Sequence, residues 1–402
     1  MRISTNMMYS SATSQLGTLQ TQFAKTQMQL STNRRMITPA DDPIASAKAL
    51  DITQLQTMNA QFATNRASAR SSLSQVESAL DGTKSLIQDM LELGVAAGNG
   101  AYSNSERAAL ATELEGRLQD LLGVANTTDG AGGYLFSGYK SDDMPFTLRQ
   151  GGADYHGDQG VRELQVGGSR KLAITDSGSS IFESNVTGNG KFDTAAAAAN
   201  TGSGVISGGV GNSSQLTGDE YRVDFSVAGT PAVSSYTVTN LGTGAVTPAA
   251  TYQSGQPIKF DGITFEITGA PANGDQFTVE PSGKESLFTT VANMIDTLRL
   301  DVSDPASRAK LSNGLRTAGE GLSAALDRVL TVQASVGSRM KELDYLDSSG
   351  EDLGIQYATT LSQLQDLDMA KAISEFTQQQ MSLEAAQKSF KAMSSLSLFN
   401  FI

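Results

Sequence analysis

Residues 52–90 read ITQLQTMNAQFATNRASARSSLSQVESALDGTKSLIQDM, and this stretch decides the fold class. Apolar side chains recur at alternating steps of three and four residues from Ile52 to Met90. Nine of the twelve positions in this phase are apolar, and the exceptions are Asn59, Arg66 and Thr83. Sustained spacing of this kind places one apolar stripe along a helix, which is buried against partner helices and favours a supercoil. The stretch therefore predicts a long helix in a bundle or coiled coil.

The same phase of apolar residues occurs near both ends of the chain. It is apolar at six of seven positions between Tyr9 and Leu30, and at six of eight between Leu343 and Leu367. A striped helix alone in water is only marginally stable. We therefore expect several of these helices to pack on one another.

The partners of these helices are expected to differ along the chain. For residues 52–90 and 343–353 we expect a bundle within one subunit. Residues 1–35 and 370–402 lack an obvious internal cover, and the last seven residues are almost wholly apolar although termini usually fray into water. We expect other copies of the chain to bury them. The residues assigned to subunit assembly are Ile3, Leu16, Leu19, Phe23, Leu30, Ile373, Phe376, Leu383, Phe390, Leu396, Leu398, Phe399, Phe401 and Ile402.

Proline and glycine separate two helical arms from a different middle. No proline occurs from Ile44 to Met144 or from Ala306 to Ile402, whereas 23 of the 40 glycines lie between residues 150 and 284. Proline breaks helices and glycine weakens them. The fold class expected is α+β and multidomain, with a long helical coiled coil or bundle formed by both termini.

Alternation of apolar and polar residues predicts strands in the middle of the chain. The alternating runs are 221–227, 235–239, 258–267 and 276–279, and Gly and Asp clusters separate them. This pattern is typical of an antiparallel sandwich or barrel, so the insert is expected to be β-rich and antiparallel. Residues 186–218 are low in complexity and are expected to form loops with at most short strands.

Aspartates beside prolines predict where helices begin. Asp42 precedes Pro43 and Asp304 precedes Pro305, so each aspartate is a candidate N-cap beside a proline at the first helical position. Asp41 and Asp42 also invite interpretation as a catalytic carboxylate pair. An acid and a base need different environments and a cleft, which nothing in the sequence indicates, and we therefore assign Asp41, Asp42 and Pro43 to helix capping.

The first 40 residues carry four basic side chains, Arg2, Lys25, Arg34 and Arg35, and no acidic one. Two interpretations remain open. These residues either meet acidic neighbours such as Asp366 and Asp368 in an assembly, or form a solvated face.

The composition of the 402 residues excludes several classes of protein. A net charge of −13 disfavours a nucleic-acid partner, because phosphate binding needs a basic face. The chain has no cysteine and one histidine, His156, which we place in a surface loop. No apolar run approaches the length of a membrane span, and Met1–Thr5 lacks the apolar region of a cleaved signal peptide. We expect no metal, no cofactor and no membrane insertion.

Motifs near both ends resemble the flagellin family, in its hook–filament junction branch. The segments that carry the resemblance are Met1–Thr5, Gln29–Thr32, Pro39–Pro43, Leu121–Thr128, Tyr134–Tyr139, Leu383–Phe390 and Ser395–Phe399. The insert is similar to inserts of hook-associated proteins at Gly188–Phe192 and Gly269–Asp275. One departure is Asn33, where the family usually has glycine; asparagine tolerates a left-handed backbone, so we expect the bend to be kept.

This resemblance implies a structural role in the bacterial flagellum and in motility. The subunit would form a ring between hook and filament, with the terminal helices of neighbouring copies lining the channel. The implied partners are further copies of the chain, the first hook-associated protein, flagellin, the filament cap protein during growth, and a cytoplasmic export chaperone at the C-terminal helix. Secretion would use the flagellar type III pathway without a cleaved signal peptide.

The expected domain division combines this resemblance with the residue patterns. It consists of an N-terminal assembly helix at 1–40 that pairs with 360–402, the N-terminal part of a helical rod at 41–140, an outward β-rich insert at 141–285, the C-terminal part of the rod at 286–359, and a C-terminal assembly helix at 360–402.

Three alternative functions fit the sequence to different degrees. Ordinary flagellin has similar paired terminal helices but typically an Asp-Asp-Ala stretch where this chain has Asp41-Asp42-Pro43. A secreted protein that binds a ligand through the insert is a second alternative. An enzyme in the insert is disfavoured, because its acids, such as Asp219, Asp224, Asp261 and Glu266, show no recognisable arrangement.

Overall fold

The structure is a computed structural model that describes residues 5–130 and 132–395. Within them the chain forms six α-helices, which are α1 (Thr5–Thr32), α2 (Pro43–Ala97), α3 (Asn104–Ala125), α4 (Leu287–Leu298), α5 (Pro305–Gln365) and α6 (Met369–Ser395). These helices lie before and after a strand-rich middle. The predicted α+β class, with long terminal helices and a central antiparallel insert, is confirmed.

The chain divides into two compact units. One consists of residues 1–64 and 345–402, which we call the terminal unit, and the other consists of residues 65–344, the central unit. The boundaries lie inside α2 and α5, so each of these helices contributes residues to each unit. The five-part division of the sequence stays a finer prediction.

Polar side chains at the starts of the helices satisfy backbone donors. Asp42 Oδ1 accepts the N–H three residues later at 3.0 Å, directly before Pro43, which begins α2. Asp304 does the same at the start of α5, at 2.7 Å. Ser103 and Glu106 form a capping box at the start of α3, in which each side chain bonds to the backbone of the other residue. These contacts satisfy N–H groups that have no partner inside a helix.

The apolar stripe of α2 is buried within the central unit. Every position in the phase is buried there, namely Arg66, Ala69, Leu73, Val76, Leu80, Thr83, Ile87 and Met90. Fully buried residues of α3 and α5, such as Leu114, Leu322 and Val336, belong to the same unit. The expected burial of this stripe within one subunit is thereby confirmed from residue 66 onward.

The three polar exceptions in the stripe each donate a hydrogen bond to a backbone carbonyl. Asn59 Nδ2 donates to the oxygen of Gly350 at 2.7 Å, inside the terminal unit. Arg66 donates to Val166 at 3.1 Å, and Thr83 donates to the carbonyl four residues earlier at 2.9 Å. Since a buried polar group without a partner is costly, these bonds explain how polar residues are tolerated in the phase.

Glycine permits close packing of α4 against α5. A Cβ added at Gly321 of α5 would come within 2.7 Å of the Thr290 Cγ2 of α4. A larger residue at this position would therefore force the Thr290 side chain or one of the two helices to move.

Fifteen strands occur in the described middle of the chain. They are β1 (Phe146–Arg149), β2 (Gly152–Tyr155), β3 (Glu163–Gln165), β4 (Lys171–Ala173), β5 (Asn185–Val186), β6 (Phe192–Ala196), β7 (Val205–Ile206), β8 (Val210–Gly211), β9 (Tyr221–Ala228), β10 (Val233–Asn240), β11 (Ala250–Thr251), β12 (Pro257–Phe260), β13 (Ile263–Thr268), β14 (Gln276–Pro281) and β15 (Lys284–Glu285). The predicted alternating runs correspond to β9, β10, β12 with β13, and β14. The short strands β5 to β8 agree with the expectation for residues 186–218.

The strands pair in antiparallel sheets. The largest sheet has the order β11-β10-β9-β14-β6, and a second has the order β12-β13-β7, with β8 also paired to β13. Two-stranded sheets form from β1 with β2, β3 with β4, and β5 with β15.

Apolar residues of both larger sheets share one core. Tyr221, Val223 and Phe225 of β9 alternate inward, and Val223 lies opposite Val238 of β10. The full cluster is Phe192, Ile206, Tyr221, Val223, Phe225, Val238, Ile258, Ile263, Phe265, Ile267, Phe277 and Val279. Burial of one face of each strand is what period-two alternation predicts.

Candidate assembly surface

Helices α1 and α6 pack against each other in antiparallel orientation. Tyr9 lies beside Phe390, with ring centroids 5.1 Å apart, and Phe23 stacks on Phe376 at 4.6 Å. Two heptads separate the two aromatic residues on each helix, so both pairs lie on one stripe. Thr26 and Ala372 are buried in this helical pair. We call the contact the α1–α6 seam.

The residues assigned to assembly fall into three groups in the structure. Seven of them are half-buried, namely Leu16, Leu19, Phe23, Leu30, Phe376, Leu383 and Phe390. Ile373 is 53% exposed. The others, Ile3, Leu396, Leu398, Phe399, Phe401 and Ile402, lie outside the described residues. Most of the described positions therefore have partial cover within a single subunit, and their role in assembly stays a prediction.

The described part of the terminal unit buries few apolar side chains. Its buried apolar residues are the small ones Ala45, Ala49 and Ala372, whereas the central unit buries many large ones. Its exposed large apolar residues are Met7, Met8, Tyr9, Met28, Ile44, Leu50, Leu55, Met58, Tyr345, Leu353, Ile355, Met369, Ile373 and Met381. We call this set, which shares Tyr9, Leu55 and Leu353 with the stripes, the exposed apolar surface.

Sequence reasoning found the stripes but missed most of this surface. Residues such as Met7, Met28, Ile44 and Leu50 are outside the 3-4 phases. One signal was available, because Lys25 is the sole charged residue among the 28 of α1. A helix with so little charge around its circumference is poorly suited to solvent on every side except its seam.

Asp41 holds the loop between α1 and α2. Lys25 Nζ lies 2.6 Å from one oxygen of the Asp41 carboxylate. The other oxygen accepts the backbone N–H groups of Ile37 at 3.0 Å and Thr38 at 2.9 Å. The hydrogen bond from Lys25, together with these N–H groups, holds the pKa of Asp41 well below its usual value. This carboxylate stays ionised, and it is a structural acceptor.

Arg35 joins this loop to the end of α5. Its guanidinium lies 3.3 Å from the Asp42 carboxylate and donates to the carbonyl oxygen of Leu364 at 2.9 Å. Its backbone N–H donates to Gln365 at 2.8 Å. The N–H of Ala45, with the Arg35 guanidinium, holds the pKa of Asp42 below its usual value. The loop and the helix end thus form one hydrogen-bonded unit.

Two of the basic residues near the start have side-chain partners inside the chain. Lys25 and Arg35 pair with Asp41 and Asp42, whereas Arg34 pairs with Asp366 through a backbone bridge. Arg2 lies outside the described residues. Asn33 has a φ of 54°, so the left-handed bend expected at this position is present.

Acidic residues of the insert are engaged in local structure. Asp224 accepts the Arg222 guanidinium at 2.9 Å, Asp261 accepts the Tyr221 hydroxyl at 2.8 Å, and Asp219 accepts an Asn240 amide at 2.8 Å. These are contacts that position strands and turns.

The single histidine lies away from the assembly surface in sequence. His156 is exposed in the loop after β2, as expected, and its Nε2 lies 2.7 Å from Thr147 Oγ1. Among the described residues there is no group of three or more His, Cys, Asp or Glu side chains placed to hold a metal ion. None of the helices in the described ranges combines the length and the apolar character needed to cross a membrane.

Two family models match the chain. The model of the bacterial flagellin N-terminal helical region matches residues 3–141, which include α1, α2 and α3. The model of the D2-like domain of flagellar hook-associated protein 1 matches residues 195–281, within the strand-rich middle. The matches agree with the resemblance found at the ends and in the insert.

Complete relatives and solved structures give the same result. The chain is 30% identical over 400 residues to flagellar hook-associated protein 3 of Salmonella typhimurium, with 99% of each chain covered. FlgL of Xanthomonas campestris is 30% identical, with a TM-score of 0.72, and the match covers 77% of this chain and 99% of that one. The flagellar junction protein FlgL of Legionella pneumophila is 29% identical, with a TM-score of 0.72 and coverage of 79% and 100%. The chain therefore belongs to the flagellar hook-associated protein 3 family.

Proposed function

We propose that this chain is a structural subunit of the bacterial flagellum that assembles at the hook–filament junction. The observation that carries the proposal is the contrast between the two units. The central unit buries large apolar residues in its own core, whereas the described terminal unit leaves many exposed. Burial of apolar surface is the main favourable term in protein association. The terminal unit is therefore the part of the chain that gains most from contact with further protein.

Copies of the chain form a ring in this proposal. The α1–α6 seam is formed within each subunit, and the exposed apolar surface together with residues 396–402 contacts neighbouring copies. The assembly residues predicted from the sequence then act at two levels. Those in the seam, such as Phe23 and Phe376, give each subunit its helical pair, and Ile373 with the terminal residues joins one subunit to the next.

A junction has different neighbours on its two sides. We assign the first hook-associated protein to the hook side and flagellin to the distal side, with the filament cap protein present during growth. A cytoplasmic chaperone covers the C-terminal helix before export, and export proceeds through the flagellar type III pathway without a cleaved signal peptide. The support for these partners is membership of the family.

The function proposed is structural, and no reaction is assigned to the chain. Asp41 and Asp42, the closest to a carboxylate pair in the sequence, each hold backbone N–H groups and a basic side chain. Lowered pKa values keep both ionised, so neither is a proton donor near neutral pH.

Deletion of the gene tests the proposal directly. Cells lacking the chain are examined by electron microscopy, and the culture medium is probed for flagellin. We expect hooks without filaments and flagellin released into the medium, because subunits are exported but not retained. Restoring the full-length gene is expected to restore filaments, whereas a version lacking the last ten residues is not.

Two other results would contradict the proposal. Bare hooks with no flagellin anywhere would identify the chain as the filament subunit itself. Normal filaments would exclude the junction role and favour the alternative in which the insert is a binding domain.

A further inference from the structure

The methionines are concentrated in the terminal unit. Of the 13 in the chain, nine lie in residues 1–64 and 345–402, although these ranges make up less than a third of the sequence. The four in the central unit are Met90, Met144, Met294 and Met340. The two units therefore differ in composition as well as in burial.

Methionines of the terminal unit are also unusually exposed. Six of them have more than two-fifths of their surface accessible, namely Met7, Met8, Met28, Met58, Met369 and Met381. The two most exposed are Met7 at 68% and Met381 at 61%. Five of the six lie outside the apolar stripes that form the α1–α6 seam, and Met369 lies one heptad before Phe376. In the central unit, by contrast, Met90 and Met294 are buried.

A thioether has two properties that matter on such a surface. It is flexible and polarisable, so it packs against apolar partners of irregular shape. Its sulfur is also open to two-electron oxidants, which convert it to a polar sulfoxide. A sulfoxide buried in an apolar contact without a hydrogen-bond donor is unfavourable. The same six side chains thus support packing when reduced and oppose it when oxidised.

We propose that the six exposed methionines are a modification site for peroxide, and that their oxidation prevents the subunit from assembling. This inference rests on the proposed assembly role of the terminal unit. In the reaction the sulfur lone pair attacks one oxygen of hydrogen peroxide, the S–O bond forms and the O–O bond breaks. The sulfur loses two electrons, and the leaving hydroxide takes the proton of the sulfur-bound OH group, which gives water and the sulfoxide. The site is accessible in the free subunit and is covered once neighbouring copies pack on it.

The pattern of oxidation is the first test. Purified full-length subunit is treated with hydrogen peroxide under conditions that leave it folded, and sulfoxides are located by peptide mass spectrometry. We expect rapid oxidation at the six positions and at Met144, which is exposed in the central unit, and slow oxidation at Met90 and Met294. Equal rates at Met7 and Met90 would overturn the proposal.

Incorporation into flagella is the second test. Treated or untreated subunit is added to cells that lack the gene and carry bare hooks, and new filaments are counted. We expect treatment to reduce filament number about tenfold or more, since a tenfold effect corresponds to a small change in association free energy. A variant with leucine at all six positions is expected to resist peroxide, whereas Met144→Leu is expected to stay sensitive.

A polar substitution tests the same positions without any peroxide treatment. Met28→Gln with Met381→Gln places polar side chains at two of the positions and is expected to lower incorporation of a folded subunit. Full incorporation of oxidised wild-type subunit would overturn the inference but leave the proposed function standing. Failure of untreated wild-type subunit to incorporate would instead remove the proposed function, and the inference with it.

Discussion

Asp41 and Asp42 are adjacent in sequence but hold different parts of the terminal unit. Asp41 bonds to Lys25 and to the backbone of its own loop, whereas Asp42 caps α2 and pairs with Arg35. A carboxylate that accepts hydrogen bonds in the folded state resists protonation there, and its lowered pKa is a contribution to stability. The stability of this loop therefore depends on pH through the two carboxylates.

Replacing Asp41 is expected to lower the melting temperature in a manner that depends on pH. Because the pKa of Asp41 is lowered by folding, its contribution is complete above the ordinary value of 3.8 and is lost as pH falls below it toward the folded pKa. Asp41→Asn should therefore melt a few degrees below wild type near neutral pH, and the gap should narrow below about pH 4. Circular dichroism melts across this range measure both effects.

Asp51→Asn is the matched control for this substitution. Asp51 is an exposed residue of α2 that forms no ion pair with any residue in the described ranges. The Asp51→Asn variant is expected to have the melting temperature of the wild type across the same pH range. A gap for Asp41→Asn that widens in acid would refute the assigned role of the carboxylate.

Some of these residue contacts were accessible from the sequence and others were not. The Asp42–Pro43 start of α2 follows from local capping rules, because both partners lie within one turn of helix. The Lys25–Asp41 pair depends on how the chain returns after α1, and no local pattern encodes that return. Sequence reasoning consequently left open whether the basic residues meet aspartates such as Asp366 and Asp368 or form a solvated face, whereas the side chains of Lys25 and Arg35 bond to nearer aspartates.

At the scale of elements, α2 shows that one stripe can have two environments. Its phase is buried from Arg66 to Met90, yet Leu55 in the same phase is 42% exposed. A 3-4 pattern identifies the face of a helix that avoids water. It does not say whether the cover comes from the same subunit, and that is why the stripes were predictable but the exposed apolar surface was not.

Truncating two leucines of this stripe should separate stability from assembly. Leu80 is fully buried, so Leu80→Ala leaves a cavity and should cost about 2–5 kcal/mol of unfolding free energy. Leu55→Ala should change it by about 0.5 kcal/mol or less, but should reduce incorporation into flagella. Urea unfolding and filament counts measure the two effects. A stable Leu55→Ala subunit that assembles normally would exclude this residue from the assembly surface.

The strands show a similar limit of local patterns. Residues 258–267 read as one alternating run, but they form a hairpin of β12 and β13. Asp261 and Gly262 have φ values of 42° and 78° at the turn. An Asp-Gly pair with both residues left-handed is a favoured two-residue hairpin turn. The signal for the turn was therefore present within the run, and alternation continued through it because the turn has an even number of residues.

At the scale of the whole molecule, the two units differ in which parts of the sequence form them. The central unit is one continuous segment, 65–344, whereas the terminal unit is made of both ends of the chain. The central unit has its own apolar core, including Leu73, Phe265 and Leu322. Ordering the ends of a free subunit costs conformational entropy that limited burial offsets poorly. We therefore expect the terminal helices to be only marginally stable in the free subunit and to gain most of their stability on assembly.

Hydrogen exchange on the monomeric subunit tests this coupling. Amides of α1 and α6 should exchange quickly, because their opening exposes few buried apolar groups, and amides of the central core should exchange slowly. The segment 65–344, produced alone, is the matched control and should show the same protection as in the full chain. Strong protection of α1 and α6 in the monomer would mean that the ends fold before assembly. Loss of protection in the isolated segment would mean that the central unit depends on the ends. The expected pattern, slow exchange in the centre and fast exchange at both ends, would leave contact with other copies as the event that stabilises the terminal helices.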